Sequence, residues 1–107
     1  RAALMIAEAW RPMREGDFPA VMRLAGRIHP DLPESEAVFA ERLELFPEGC
    51  RVLEAGDVLV GYGIAHPIRY PHPPSLDMLI GALPLDADAL YIHDVAIAQE
   101  ARGRGHA

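Results

Sequence analysis

The sequence contains no lysine, asparagine or threonine, and it has one cysteine, Cys50. A single thiol cannot form an internal disulfide, so we expect a reducing, cytoplasmic compartment. No run of apolar residues approaches the roughly 18 that a membrane-spanning helix needs, so no membrane span is predicted. The ten basic residues, all arginine, are outnumbered by sixteen acids, which gives a net charge of -6. That balance argues against general binding to nucleic acid or to an anionic membrane surface.

Metal-ligand spacing is also lacking, because His66, His72 and His93 are scattered and Cys50 is isolated, so no metal site is predicted. What is present is an ordinary globular mixture of 107 residues, 50% hydrophobic and 24% charged. A chain of this length fits one small domain with a thin core. We therefore predict a single domain over residues 1–107.

The hydrophobic periodicity predicts one strand, two helices and three further strands. The predicted elements are a strand over 4–10, helices over 18–28 and 36–46, a hairpin of strands 50–54 and 58–65, and a strand over 89–97. Asp17 and Ser35 are expected to cap the two helices. Residues 66–88 hold five of the ten prolines and are interpreted as a long irregular insertion, with a helical turn expected within 76–83.

The last predicted strand leads into a basic, glycine-rich segment, Arg102 to Ala107. Gly103 and Gly105 lack Cβ atoms, so the backbone there can adopt positive φ or approach a ligand closely. Free N–H groups in such a turn bind phosphate, and arginine side chains add charge-assisted contacts. The sequence therefore predicts an anion site at the end of this strand. A flexible basic tail that binds RNA, and an unrelated phosphate- or nucleotide-binding domain, are the alternatives.

Residues 102–107, Arg-Gly-Arg-Gly-His-Ala, resemble the acetyl-CoA pyrophosphate loop of the GNAT superfamily of N-acetyltransferases, whose pattern is Arg/Gln-x-x-Gly-x-Gly/Ala. The strand before the loop and the order of the elements agree with that superfamily. The resemblance implies an α+β fold with a mixed, mostly antiparallel sheet flanked by helices, in the order β-α-α-β-β-β and then the phosphate loop. It also implies that the C-terminal part of the domain is absent, so the chain is expected to be incomplete there.

The same resemblance implies how acetyl-CoA, the expected co-substrate, would be held. Backbone groups of Val95 and Ile97 would hydrogen-bond the pantetheine arm, which would lie beside the strand like an added strand. The pyrophosphate would be held by the backbone amides of Arg102, Gly103, Arg104, Gly105, His106 and Ala107.

Strand alternation is expected to separate two sets of side chains. One face would carry Tyr91, His93, Val95 and Ile97, and the other would carry Ile92, Asp94 and Ala96. Acetyl transfer to an amine needs a group that takes a proton near neutral pH, and histidine, with an ordinary pKa of about 6.5, is suited to this. Because some members resembling this chain carry histidines on this strand, His93 is predicted to be catalytic, with Tyr91 beside it and Asp94 in reserve. The alternative is a partly buried strand histidine with satisfied hydrogen bonds.

The resemblance implies transfer of an acetyl group from acetyl-CoA to a primary amine of a small molecule or peptide. Tyr70 and His72 are predicted to line the acceptor pocket, although both would also suit a plain surface loop. The acidic net charge favours a cationic acceptor such as a polyamine, an aminoglycoside or a lysine side chain. The rival function is a non-catalytic acyl-CoA-binding or regulatory module with the same loop, and a homodimer stays open.

Overall fold

The computed structural model describes residues 7–107. They form one antiparallel sheet of four strands and two α-helices that pack against it. The elements in chain order are β1 (Glu8–Pro12), α1 (Phe18–Ile28), α2 (Glu36–Leu45), β2 (Cys50–Ala55), β3 (Val58–Ile68) and β4 (Ala89–Ile97). The strand order is β1-β2-β3-β4, and each neighbouring pair is antiparallel. The expected α+β element order is confirmed, while no parallel pair, which would make the sheet mixed, occurs within residues 7–107.

Both helices pack on the face of the sheet that carries Tyr62. The apolar spacing predicted for α1 buries Val21 and Leu24. In α2, Phe39 meets the Tyr62 ring edge-to-face with ring centroids 5.7 Å apart. Each such buried side chain contributes roughly 1.5–3 kcal/mol relative to an exposed one, so this face holds most of the core. Neither helix is long and apolar enough to cross a membrane, and no other helix of residues 7–107 is either.

Asp17 and Ser35 occupy the expected N-cap positions of α1 and α2, but neither side chain makes a capping hydrogen bond. Asp17 directly precedes α1, but its carboxylate turns back to accept the Arg14 N–H at 2.8 Å and two bonds of 2.8 Å from the Arg11 guanidinium. Arg11 and the Arg14 N–H together lower the Asp17 pKa. The Ser35 side chain makes no capping bond, and its backbone N–H donates to Asp77 Oδ1 at 2.7 Å. The Asp17 carboxylate is therefore used by Arg11 and Arg14 instead of by the first turn of α1.

Two strands differ in extent from the prediction. Residues 4–6 of the first predicted strand lie outside the described residues, and β1 continues beyond Trp10 to Pro12, which pairs with Arg51. Proline is tolerated there because β1 is an edge strand. β3 continues to Ile68, and Pro67 pairs with Leu90. The insertion therefore begins at residue 69, because pairing with β4 holds residues 66–68 in the sheet.

The Pro-rich segment, residues 69–88, contains no helix, so the helical turn expected within 76–83 is wrong. Asp77 and Gly81 have φ values of 57° and 77°, which a right-handed helical turn does not allow. Side chains from α2 and the residues just before it bind this stretch of backbone. External partners thus fix an irregular path that the apolar spacing does not show.

Candidate functional site

β4 contains a β-bulge at His93. In the register with β3, Ile64 pairs with Asp94 and Ala65 pairs with Ile92, so His93 is the extra residue between them. A bulge interrupts the alternation of faces. The expectation that His93 and Asp94 lie on opposite faces is therefore wrong, because both side chains contact residues of the helix-covered side.

The bulge directs His93 into a buried pair with Glu34, which lies just before α2. His93 Nε2 is 2.8 Å from Oε1 and 2.9 Å from Oε2 of Glu34, and each side chain is 5% exposed. A carboxylate only accepts hydrogen bonds, so Nε2 carries the proton and donates it. His93 Nδ1 has no hydrogen-bond partner within residues 7–107. Such an arrangement fixes the tautomer of the ring and leaves Nδ1 as the acceptor.

Two further rings surround His93. The ring centroids of His66 and Tyr91 lie 5.8 and 5.9 Å from the ring centroid of His93, and 5.8 Å from each other. His66 is 1% exposed, and its Nδ1 is 3.3 Å from the Pro67 carbonyl. Burial, with Arg42 and His93 nearby, lowers the His66 pKa, so this ring is neutral at neutral pH. The structure thus places predicted Tyr91 and His93 together and adds His66.

Asp94, the third predicted catalytic residue, is bound within the core. Tyr62 Oη donates to its Oδ2 at 2.6 Å, and His29 Nε2 lies 3.0 Å from its Oδ1 without the alignment of a hydrogen bond. Burial, followed by the Asp94 bond, raises the Tyr62 pKa well above its ordinary value. The two carboxylate oxygens therefore join β3 and the end of α1 to β4.

The Pro-rich segment is fastened to α2 by its own backbone. Glu41 accepts the N–H groups of Ile80 and Gly81, each at 2.8 Å, while Arg42 donates to the Met78 carbonyl at 3.0 Å. The Arg42 side chain is fully buried and also donates to Glu41 at 2.8 Å. We call these contacts the α2 clasp.

Glu34 links the Pro-rich segment to His93. Its Oε2 accepts the Asp77 N–H at 2.9 Å in addition to contacting His93, and Asp77 in turn accepts from Ser35. One carboxylate therefore orients the His93 ring and holds the Pro-rich segment.

The α2 clasp leaves a cavity of about 440 Å³ between the end of β3 and the Pro-rich segment, which we call the β3 cavity. Its lining includes predicted His72, and His66 and Ile68 of β3. Predicted Tyr70 is 70% exposed and is not among its lining residues. The volume is within the range of small-molecule sites, which are roughly 300–1,000 Å³.

After the C-terminal end of β4, the groups available to a ligand are backbone N–H groups of the glycine loop, residues 102–107. Gly103 and Gly105 have φ values of 78° and 74°, the left-handed conformation that glycine adopts without strain, as expected for this loop. A built Cβ at either position would meet nothing within 4 Å, so conformation and not space requires glycine there. Within residues 7–107, no protein acceptor is found for the N–H groups of residues 103–107. Successive N–H groups without a protein acceptor among residues 7–107 are suited to binding an anion.

β4 has β3 as its only neighbouring strand within residues 7–107, so its other edge is unpaired there. Ala98 donates its N–H to the Val60 carbonyl of β3 at 2.7 Å. Because backbone groups alternate along a strand, those of Val95 and Ile97 point to the unpaired edge. Arg102 Nε donates to the Ile97 carbonyl at 2.8 Å, which confirms that direction.

The loop also contacts β1. His106 Nε2 lies 2.7 Å from Glu8 Oε1, Arg104 pairs with the same carboxylate, and Trp10 Nε1 donates to the His106 carbonyl at 3.1 Å. The His106 hydrogen bond leads the contacts that lower the Glu8 pKa. Arg104 and His106 are therefore engaged by Glu8 of β1, while Arg102 binds the Ile97 carbonyl of β4.

The prediction missed Glu34, Glu41 and Arg42, which assemble the site from a distance. In the sequence, Glu41 looks like an ordinary acid of a solvated helix, and Glu34 looks like an acid of the turn before it. Arg42 carried a signal, since it falls on the apolar side of α2 beside Val38 and Phe39. His66 was weighed only as a metal ligand. Within residues 7–107, no group of three metal-ligating side chains is close enough to hold a metal ion.

The fold and the site define a class: an α+β domain in which an unpaired strand edge runs into a turn with two left-handed glycines. The chain belongs to the acetyltransferase (GNAT) family, whose sequence model matches residues 7–107. No curated protein matches the chain.

Two solved structures have similar folds. The GphF GNAT-like decarboxylase in complex with isobutyryl-CoA aligns with a TM-score of 0.76 and 26% identity, over 90% of this chain and 51% of that one. The loading GNATL domain of CurA from Lyngbya majuscula aligns with a TM-score of 0.79 and 17% identity, over 94% of this chain and 52% of that one. The chain therefore spans about half the length of each similar structure.

Proposed function

We propose that the protein is an acyl-CoA-dependent N-acetyltransferase, which moves an acetyl group from acetyl-CoA to a primary amine of a small molecule or peptide. The observation that carries this proposal is the C-terminal end of β4. An unpaired strand edge there runs into a turn with two left-handed glycines and free N–H groups. A strand edge suits an amide-containing arm such as pantetheine, and the turn suits a pyrophosphate.

The residues present fit acyl-CoA. Val95 and Ile97 would offer backbone groups to the pantetheine arm, and the amides of residues 102–107 would bind the pyrophosphate. Arg102 and Arg104 would exchange their present protein partners, the Ile97 carbonyl and Glu8, for phosphate oxygens. When bound, acyl-CoA supplies the acyl group as a reactive thioester.

We assign the general base to His93. Its Nε2 is committed to Glu34, which leaves Nδ1 as the proton acceptor. Because Nδ1 is buried and His93 does not line the β3 cavity, the proton of the attacking amine would reach it through water. Glu34 would stabilise the cation that forms, and Tyr91 would pack beside the ring. Asp94 is a weaker candidate because Tyr62 and His29 already contact its two oxygens.

We place the acceptor in the β3 cavity, where His72 contributes to the lining. Tyr70 would contact the acceptor only from the mouth of the site, since its ring projects into solvent. We further propose a cytoplasmic protein with Cys50 as a buried free thiol, whose pKa burial raises to about 11. Light scattering would distinguish a monomer from the homodimer left open by the sequence.

An assay of thiol release distinguishes the proposed N-acetyltransferase from the alternative, a non-catalytic acyl-CoA-binding module. The full-length protein is incubated with acetyl-CoA or isobutyryl-CoA and a panel of amines, and free CoA thiol is measured together with the acylated product. The second donor is included because a similar structure, that of a decarboxylase, holds isobutyryl-CoA. Acylated amine supports the proposal. Tight CoA binding without any product supports the binding module.

The role of His93 is tested in the same assay. We expect His93→Gln to lower kcat/KM by roughly 100-fold or more, the usual contribution of a general base, and to leave CoA affinity unchanged. If the His93→Gln variant keeps the kcat/KM of the unsubstituted protein at every pH from 6 to 9, His93 is only a buried strand histidine.

A further inference from the structure

The β3 cavity contains no acidic side chain. Its apolar wall is formed by Ile68 and by Met78, Leu79 and Ile80. Arg69, His66 and His72 supply the basic groups of the lining. No Asp or Glu lines it within residues 7–107, and residues 1–6 contain none in the sequence.

The acids closest to this cavity are all engaged. Glu41 accepts two backbone N–H groups and pairs with Arg42. Glu34 contacts His93 and the Asp77 N–H. Asp86 pairs with Arg69 at 2.7 Å, and Asp88 accepts the N–H of residue 70 at 2.7 Å.

A multiply charged acceptor would therefore lose hydration without gaining a counter-charge. Taking an ammonium group out of water without a partner is costly. The guanidinium of Arg69 and the imidazole groups would add repulsion or no compensation. The acids behind the net charge of -6 contribute no side chain to the lining of this cavity.

We propose that the acceptor is a compact, apolar primary amine with a single amino group, such as an arylalkyl or branched alkyl amine. This inference rests on the N-acetyltransfer proposed above. The α2 clasp holds the apolar wall in place before any ligand binds, which lowers the ordering cost of binding.

The same surroundings assist the reaction. An apolar site favours the uncharged form of a bound amine, and only that form has the lone pair that attacks the thioester carbonyl. The new C–N bond forms while the C–S bond breaks. The proton lost by nitrogen passes through the base and ends on the sulfur, so the products are the amide and free CoA thiol.

The first test compares acceptors and has two readouts. Phenethylamine, spermidine and kanamycin are assayed with the full-length protein and acetyl-CoA, and each is titrated without acetyl-CoA while the methyl NMR signals of Met78, Leu79 and Ile80 are followed. We expect phenethylamine to exceed the other two at least tenfold in kcat/KM and to shift those signals. Preference for spermidine or kanamycin, or no shift with phenethylamine, would overturn the inference.

The second test adds a charge to the wall. Leu79→Glu places a carboxylate in the cavity lining, and Leu85→Glu makes the same change in the same segment at an exposed position outside that lining. We expect Leu79→Glu to raise the affinity for spermidine relative to phenethylamine about tenfold, and Leu85→Glu to leave the ratio unchanged. Equal behaviour of the two variants would refute a role for this wall.

The titration separates this inference from the proposed function. Suppose that no amine is acylated, but phenethylamine still shifts the cavity signals and Leu79→Glu still raises the affinity for spermidine relative to phenethylamine. The proposed N-acetyltransfer is then wrong, while the proposed class of ligand is supported. If amines are acylated but the preference is for polyamines, the function stands and the ligand class fails.

Discussion

The two ends of β4 are built in opposite ways. Near Tyr91 to Asp94, buried side chains from distant parts of the chain meet in hydrogen-bonded pairs, and the side chains of Glu34 and His93 are each 5% exposed. From Arg102 onward, most residues are exposed, and the chain offers its own backbone through Gly103 and Gly105. One end depends on side-chain partners 59 residues apart in sequence. At the other end, two glycines set the backbone conformation locally, while the side chains of Arg104 and His106 contact Glu8 of β1.

This difference explains what each end is suited to do. Backbone N–H groups bind the constant, anionic part of a cofactor, which requires shape and partial charge only. A group that handles a proton must be a titratable side chain with a fixed tautomer, and fixing it requires a second side chain from elsewhere. Variants at the two ends should therefore fail in different assays.

The largest effect is expected at the side-chain end. Arg42→Met removes the buried cation that pairs with Glu41 and binds the Met78 carbonyl. Breaking a buried pair on one side leaves an uncompensated charge, so we expect a loss of about 3 kcal/mol in the free energy of unfolding. Urea denaturation measures this. Arg23→Met, an exposed change in α1, is the control, and equal stability of the two variants would show that Arg42 does not hold the clasp.

A smaller loss is expected for Tyr62→Phe. The substitution keeps the packing against Phe39 but removes the O–H that donates to Asp94 at 2.6 Å. Hydrogen bonds to charged groups contribute roughly 1.5–3 kcal/mol, and we expect a loss of about 2 kcal/mol in the same measurement. Tyr70→Phe makes the identical change on an exposed ring. A Tyr62 variant as stable as the Tyr70 variant would contradict the assignment.

At the backbone end, Gly105→Ala should affect binding more than folding. Alanine disfavours the left-handed conformation by roughly 1–2 kcal/mol, so the free loop would relax and CoA binding would have to restore its shape. We expect CoA affinity to fall about tenfold in a calorimetric titration. Gly81→Ala introduces the same strain, at a φ of 77°, outside the loop. A similar loss of affinity in both variants would break the comparison between the two ends.

The smallest effect concerns pH. Burial lowers the His66 pKa, so below its ordinary pKa of about 6.5 the unfolded chain binds this proton more readily than the folded one. The contribution of the neutral His66 ring to the free energy of unfolding is therefore fully present above that pH and is lost as the pH falls. We expect a loss below ~1 kcal/mol between pH 7 and pH 5.5, which His66→Gln should reduce and His72→Gln should not. Unchanged pH dependence in His66→Gln would refute the buried, neutral state of the ring.

Local features of the sequence determined much of this protein. The apolar spacing of α1, the turn between β2 and β3, and the glycine loop were all predictable, because each depends on residues a few positions apart. The backbone end of the site therefore followed from a short motif. The N-cap positions of Asp17 and Ser35 were predictable too, but the capping bonds do not form, and the Asp17 carboxylate binds Arg11 instead.

Only the tertiary structure decided the side-chain end. The bulge at His93 arises from the register between β3 and β4, and it moved His93 to the face of Asp94 against the expected alternation. Glu34 and Arg42 gained their roles by packing against residues 59 and 36 positions away. Alternation and composition are local or averaged properties, so neither could show that the acids of this acidic chain are absent from the wall of its cavity. Burial makes these pairings strong, because removing water is what turns ordinary charges into fixed partners.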